Sequence, residues 1–249
     1  MSTDVIEALR ADREALLEIC AGLTDAEWKA ESGCPGWSVR DVVIHLGALF
    51  TAVVAPGTLP DTTGLPTERA QDVYVEARRS WPTERVVADY TTVGERALQA
   101  LAVLARSADR EVHLGDLGTY PAATVPCAFV FDHFVHLRHD LFAPRGPLTG
   151  PPPPVDELRL EPTLRWIEAA LPQQNRAAVA ALTGSVDIVV EGPVRRVLRI
   201  GAGGRTARVV TEAESFVRWI TGRGDLDAPD VAVFGDPLQG PVLRGLRVW

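Results

Sequence analysis

Apolar residues recur at helical spacing through most of the first 142 residues, with charged residues between them, and this pattern predicts four long helical regions. They cover residues 3–23, 38–55, 67–106 and 126–143. Ser38 and Asp41 have the spacing of a capping box, which predicts where the second helix begins. Trp81-Pro82 predicts a break in the third region. Residues 107–124 contain two glycines and a proline and are predicted to form a long loop.

A proline-rich segment, APRGPLTGPPPPV (143–155), predicts an extended linker. Beyond it the period of the pattern changes from helical to strand-like. The predicted elements are helices at 156–171, 212–221 and 237–249 and strands at 185–192, 194–201, 206–210 and 231–236. The fold class is therefore mainly α plus α+β. An N-terminal four-helix bundle (1–142), expected to be up-and-down, precedes a small α+β domain (156–249).

Charge, hydropathy and cysteine content exclude some functional classes and favour one cellular compartment. The chain has 249 residues, with 25 Lys and Arg against 33 Asp and Glu, and its net charge of −8 argues against a nucleic-acid binder. We expect no membrane partner, because no apolar run is long enough to span a bilayer and the N-terminus does not have the pattern of a signal peptide. The three cysteines lack CxxC spacing, which favours a reducing cytoplasm. The pattern does not decide between monomer and homodimer.

Three of the five histidines lie in the last predicted bundle helix, in FVFDHFVHLRHDL (129–141). At about 100° per residue, Asp132, His136 and His139 share one face of this helix. Asp132 and His136 are one turn apart, a spacing at which two side chains can bind one ion. His45 interrupts an apolar stretch of the second helix, and side chains from two helices can complete a site in a bundle core. His45, Asp132 and His136 would form a metal site of the class found in catalytic zinc and facial-triad enzymes.

Residue pattern alone leaves a second interpretation open. A lone histidine on an apolar helix is more often a hydrogen-bonded core residue than a ligand, which applies to His45. Histidine-rich helices also occur as solvated faces or as favourable charges at helix ends.

The segment LTDAEWKAESGCPGWSVRDVVIHLGA (23–48) resembles the opening of a known family, the maleylpyruvate isomerase-like, mycothiol-dependent branch of the DinB/YfiT superfamily. Members have a Leu-Thr-Asp helix start, then Cys-Pro-Gly-Trp, then Ser/Thr-Val-Arg-Asp and a histidine. In this chain the last three are residues 34–37, residues 38–41 and His45.

A later segment, 131–148, resembles the family's second motif, in which a carboxylate four residues before a histidine supplies two metal ligands. Asp132 and His136 match those positions, although the family more often has Glu at the first. Residues 216–225 and the Gly235-Asp236 pair resemble the family's C-terminal domain, which is related to sterol-carrier proteins.

The resemblance implies a four-helix bundle with a divalent metal, zinc foremost, and the cofactor mycothiol, a low-molecular-weight thiol of actinobacteria. The arginine-rich, lysine-poor composition fits such a host. A metal-bound thiol is deprotonated at neutral pH and so becomes a nucleophile. In the family's isomerases the thiolate adds to a conjugated cis double bond of a small substrate, the bond rotates, and elimination gives the trans isomer. Sister enzymes transfer the thiol to an electrophile.

Two alternatives to a metal- and thiol-dependent enzyme stay open. They are a non-catalytic small-molecule-binding protein on this scaffold and a metal-free biosynthetic enzyme that uses the same pocket.

The remaining candidates have supporting roles. His139 or Asp140 would orient a ligand imidazole from outside the metal's ligand set. Arg223, in a Gly-Arg pair that matches the family, is the candidate for holding a substrate carboxylate, or else it binds carbonyls at a helix end. Trp37 is expected to pack as a hydrophobic staple before the Ser38 cap, and Cys34 is not expected to be the nucleophile.

Overall fold

The computed structural model describes residues 2–107 and 109–249. The chain divides into two compact units, the first ending at Pro154 and the second beginning at Val155. The division falls inside the proline-rich segment. None of the helices in the described residues combines the length and apolar character that crossing a bilayer requires.

The first unit is a helical bundle, as the periodicity predicts. Its helices are α1 (Ser2–Gly22), α2 (Asp25–Lys29), α3 (Val39–Val54), α4 (Thr67–Glu76), α5 (Thr83–Leu104) and α6 (Val125–Val135). The long helix α5 packs against α3 and α1, and α6 packs against α1, α5 and α3. The predicted break at Trp81-Pro82 separates α4 from α5. The contact surfaces are apolar, with Leu9, Leu46, Leu98 and Phe134 fully buried.

The ends of α3 and α6 place the residues of interest. The predicted capping box at the start of α3 is present, since Asp41 N donates to Ser38 Oγ and Ser38 N donates to Asp41 Oδ2. Helix α6 continues into a π-helical turn, His136–Asp140, where the prediction was a uniform α-helix. Leu141 N donates to His136 O across this wider turn. Such turns are rare and occur often at functional sites.

The region expected to be a long loop, residues 107–124, contains regular structure. Within its described residues, β1 (Glu111–His113) pairs antiparallel with β2 (Thr119–Pro121). Two strands of three residues are too short to show an alternating pattern, which explains why periodicity missed them.

The second unit is the predicted α+β fold. Its elements are α7 (Glu157–Gln174), α8 (Arg176–Ala180), β3 (Ser185–Glu191), β4 (Arg196–Ile200), β5 (Arg205–Glu212), α9 (Ala213–Ile220), β6 (Val231–Gly235) and α10 (Gly240–Gly245). The strand order is β4-β3-β5-β6, with β3 parallel to β5 and the outer pairs antiparallel. The central strand β3 is almost entirely buried, in keeping with the apolar residues at 186 and 188–190 that make up most of it. Helix α8 was not predicted, because five residues are too few for a period to be recognised.

Candidate metal centre

The three predicted metal ligands lie together between α3 and α6. His45 Nε2 is 3.0 Å from Asp132 Oδ2, and His136 Nε2 is 3.5 Å from Asp132 Oδ1. One ligand atom from each of the three residues lies within 4.8 Å of the others. Both histidines are buried, whereas 24% of the Asp132 side chain is exposed. The cluster is therefore a buried pair of imidazoles joined by a carboxylate that solvent can reach.

The charges around this cluster favour a cation. Burial alone would raise the pKa of the Asp132 carboxyl, but the charges and hydrogen bonds of His45 and His136 hold that pKa well below its usual range. Burial would lower the pKa of His136, yet Coulombic interactions with Cys34 and Asp132 and hydrogen bonds to Asp132 and Asp140 raise that pKa well above its usual range. The surroundings thus stabilise positive charge at the position of His136.

Asp140 holds the other side of the His136 ring. Its Oδ2 is 2.8 Å from His136 Nδ1, and its side chain is completely buried. Arg145 lies beside it, with Nε 3.8 Å from Asp140 Oδ1. A carboxylate at Nδ1 holds a proton there, so that loss of the second ring proton would leave the Nε2 lone pair directed towards Asp132 and His45. His45 has no such support, because its buried Nδ1 has no hydrogen-bond partner among residues 2–107 and 109–249.

A short loop before α3 is fastened to the end of the α6 extension. Gly33 N donates to Asp140 O at 2.7 Å, and Arg145 donates to Gly33 O at 2.7 Å. A Cβ on Gly33 would lie 2.9 Å from the Asp140 Cα, so this close approach requires glycine. The loop brings Cys34 to the site.

Two residues that sequence reasoning set aside belong to the site. Cys34 Sγ is 3.5 Å from His136 Nδ1. The Trp37 ring lies 5.0 Å from the His45 ring and 6.4 Å from the His136 ring, centroid to centroid, and its Nε1 donates to Asp72. The staple role of Trp37 stays a prediction, and its contacts with both imidazoles are a further feature that the sequence did not indicate. Cys34 and Trp37 lie just before the helix that carries His45, and this position was the sequence signal that could have placed them in the site.

The donor set fits a divalent metal. Two imidazole nitrogens and a carboxylate oxygen are a ligand set of catalytic zinc. The separations of 3.0 and 3.5 Å are close to the roughly 3.3 Å expected between ligands that share a tetrahedral ion with bonds of about 2.0 Å. Binding an ion there requires release of the protons that the two imidazoles share with Asp132.

The other candidates lie elsewhere or have different partners. His139 packs edge-on against Phe134, with ring centroids 6.1 Å apart. His133 accepts a hydrogen bond from the Tyr90 hydroxyl and donates one to Phe129 O, and burial lowers its pKa to about 4, so it is a neutral core residue.

His113 is exposed on β1. Arg223 follows α9 and donates to Thr221 O at 3.2 Å. This contact matches the alternative role of binding helix-end carbonyls.

Residues 9–142 match the sequence profile of the mycothiol maleylpyruvate isomerase N-terminal domain. The chain belongs to this family. The match covers more than half of the chain and includes every residue of the candidate metal centre, and it confirms the resemblance inferred from the two motifs. Because the family is one of enzymes, it also confirms the prediction that the chain is an enzyme.

Solved structures extend the likeness beyond the bundle. A mycothiol-dependent maleylpyruvate isomerase superposes with a TM-score of 0.62 at 16% sequence identity, covering 97% of this chain and 96% of that one. A histidine-to-alanine mutant of a mycothiol-dependent maleylpyruvate isomerase superposes with a TM-score of 0.59, at the same identity and coverage. These matches confirm the predicted fold class over both units. No curated protein sequence matches the chain. The likeness of the second unit to sterol-carrier proteins stays a prediction.

Proposed function

We propose that the protein is a metal- and mycothiol-dependent isomerase, which converts the cis double bond of a small unsaturated acid to trans. The observation that carries this proposal is the cluster of His45, Asp132 and His136, in which the two motifs that carry the family resemblance meet in space. Maleylpyruvate is the first substrate to test, because a structural relative is named for it. The three cysteines are free thiols, in keeping with a reducing cytoplasm.

Each residue of the site has a proposed role. His45, Asp132 and His136 hold the metal, zinc being the first candidate. A bound divalent metal supplies a Lewis acid that lowers the pKa of a thiol and so provides thiolate at neutral pH. Asp140 keeps the proton of His136 on Nδ1, which leaves Nε2 free to ligate.

The test is an isomerisation assay with purified protein, maleylpyruvate and mycothiol, followed by the olefinic proton signals in NMR spectra. We expect trans product only when both the thiol and the metal are present. His45→Ala should lower kcat/KM by more than about 100-fold through loss of the metal. His113→Ala is the matched control, because His113 is exposed and has Thr119 as its partner, and it should retain wild-type activity.

The same assay distinguishes the alternatives. Accumulation of a thiol conjugate instead of trans product would identify a transferase. Turnover that survives chelation would identify a metal-free enzyme. Binding of mycothiol or substrate without turnover, in metal-loaded protein, would identify a non-catalytic binding protein and reject the proposal.

A further inference from the structure

A second group of ligand atoms lies on the opposite side of the His136 ring from His45 and Asp132. Cys34 Sγ is 3.5 Å from His136 Nδ1, and Asp140 Oδ2 is 2.8 Å from the same nitrogen. One ligand atom from each of these residues lies within 4.8 Å of the others. A sulfur, an imidazole nitrogen and a carboxylate oxygen form a ligand set suited to thiophilic divalent cations.

The backbone holds this group in place. The hydrogen bond from Gly33 to Asp140 O brings the loop onto the helix end, and the missing side chain of Gly33 permits the approach. Arg145 lies 3.8 Å from Asp140 Oδ1, the carboxylate oxygen that does not contact His136. Asp140 is fully buried, whereas Cys34 is only half-buried and offers a cation a way in.

The distances are compatible with a shared ion. Atoms that ligate one tetrahedral ion through bonds of about 2.0–2.3 Å lie roughly 3.3–3.8 Å apart. Cys34 Sγ and His136 Nδ1 already have this separation. Asp140 Oδ2 would have to move back by about 0.5 Å from its hydrogen-bonded position.

We propose that Cys34, His136 and Asp140 form a second metal-ligating set, which takes a thiophilic divalent cation and competes with the first set for His136. A neutral imidazole has one proton and one lone pair, so His136 can ligate through only one nitrogen at a time. When Nδ1 ligates the cation, the proton of His136 lies on Nε2, where it is donated to Asp132. The first set then keeps only His45 and Asp132.

Cadmium is the probe, because its bond to a thiolate gives a charge-transfer absorption in the ultraviolet. Cadmium chloride is titrated into the purified protein, into Cys34→Ser and into His45→Ala. We expect one thiolate–cadmium bond per chain in the wild type and in His45→Ala, since His45 belongs only to the first set. Cys34→Ser should lose the absorption and bind cadmium more than about 100-fold more weakly at this set. Cys20 and Cys127 remain in every variant as internal controls, both buried.

X-ray absorption at the cadmium edge on the unmodified protein gives a measurement that requires no variant, and it should find one sulfur and lighter ligands around the ion. Cadmium bound without sulfur in the wild type would overturn the proposal. An undiminished thiolate–cadmium absorption in Cys34→Ser would overturn it as well. Because these measurements record the Cys34–metal bond and not turnover, their failure is separate from failure of the proposed isomerase function.

Discussion

Asp140 Oδ2 lies 2.8 Å from His136 Nδ1, so a buried carboxylate determines which nitrogen of this imidazole is free to face Asp132 and His45. The two residues are one turn apart on the π-helical extension of α6. A carboxylate that supports a ligand histidine fixes the orientation of the ring and increases its basicity. The pair therefore prepares His136 for ligation before any ion arrives.

The first prediction concerns this support. Asp140→Ala should raise the Kd for zinc at the first set by about 10–100-fold, because His136 loses the acceptor that holds its proton on Nδ1. Asp140→Asn keeps an acceptor oxygen and should have the smaller effect. Isothermal titration of metal-free protein with zinc measures both values, and equal affinity in Asp140→Ala and the wild type would show that the hydrogen bond has no part in ligation.

The second prediction concerns Asp132, which stands where the family more often has Glu. Asp132→Asn removes the charge that lies between the two imidazoles and should weaken zinc binding by more than about 100-fold. Asp132→Glu keeps the charge and should bind zinc within about tenfold of the wild type. Competition with a chromogenic chelator gives both constants. Should Asp132→Asn bind as well as Asp132→Glu, the carboxylate would not be a ligand.

The third prediction concerns the loop that carries Cys34. Gly33→Ala would place a methyl group 2.9 Å from the Asp140 Cα, and the loop must shift. We expect the free energy of unfolding to fall by about 1–3 kcal/mol, as for other overpacked sites. Gly22→Ala is the control, because a Cβ there meets nothing within 4 Å and alanine favours the helix. Urea denaturation measures both, and an equal, small effect of the two changes would contradict the close approach.

The sequence alone predicts part of this structure and misses the rest. The four bundle helices follow from a 3.6-residue period, and the start of α3 follows from the Ser38–Asp41 spacing, because both signals are local. In the structure His45 lies close to Asp132 and His136, as the two family motifs predicted. The contact between Cys34 and His136 joins residues 102 positions apart and depends on the absence of a side chain at Gly33, so no local pattern contains it. The ribbon of β1 and β2 was missed because its strands are three residues long.

The fourth prediction is a pH dependence in the second unit. The hydrogen bonds and charges of Arg199 and Arg205 lower the pKa of the Asp187 carboxyl from its ordinary value of 3.8. A carboxyl whose pKa is lower in the folded state stabilises the fold fully above its unfolded pKa, and this contribution is lost as the pH falls through the folded pKa. Asp187→Asn should therefore be less stable than the wild type at pH 7.

The difference in stability between wild type and Asp187→Asn should shrink as the pH falls below about 3.8. Both arginines are more than half exposed, so solvent screens the pairs and the effect at pH 7 is small. Thermal unfolding followed by circular dichroism between pH 2 and pH 7 measures the difference. A difference that stays constant over this range would show that the ionised carboxylate does not stabilise the fold.

The most direct test of the metal centre is the metal content of protein that is purified without added metal or chelator and then reconstituted with zinc. Elemental mass spectrometry should find about one equivalent of zinc in the wild type and in Cys34→Ser, since the first set needs two imidazoles and one carboxylate. It should find less than about one tenth of an equivalent in His136→Ala, which lacks the histidine of both sets, and in the double variant His45→Ala/Cys34→Ser. No bound metal in the reconstituted wild type, or full occupancy in the double variant, would contradict the assignment of His45, Asp132 and His136 as the ligands.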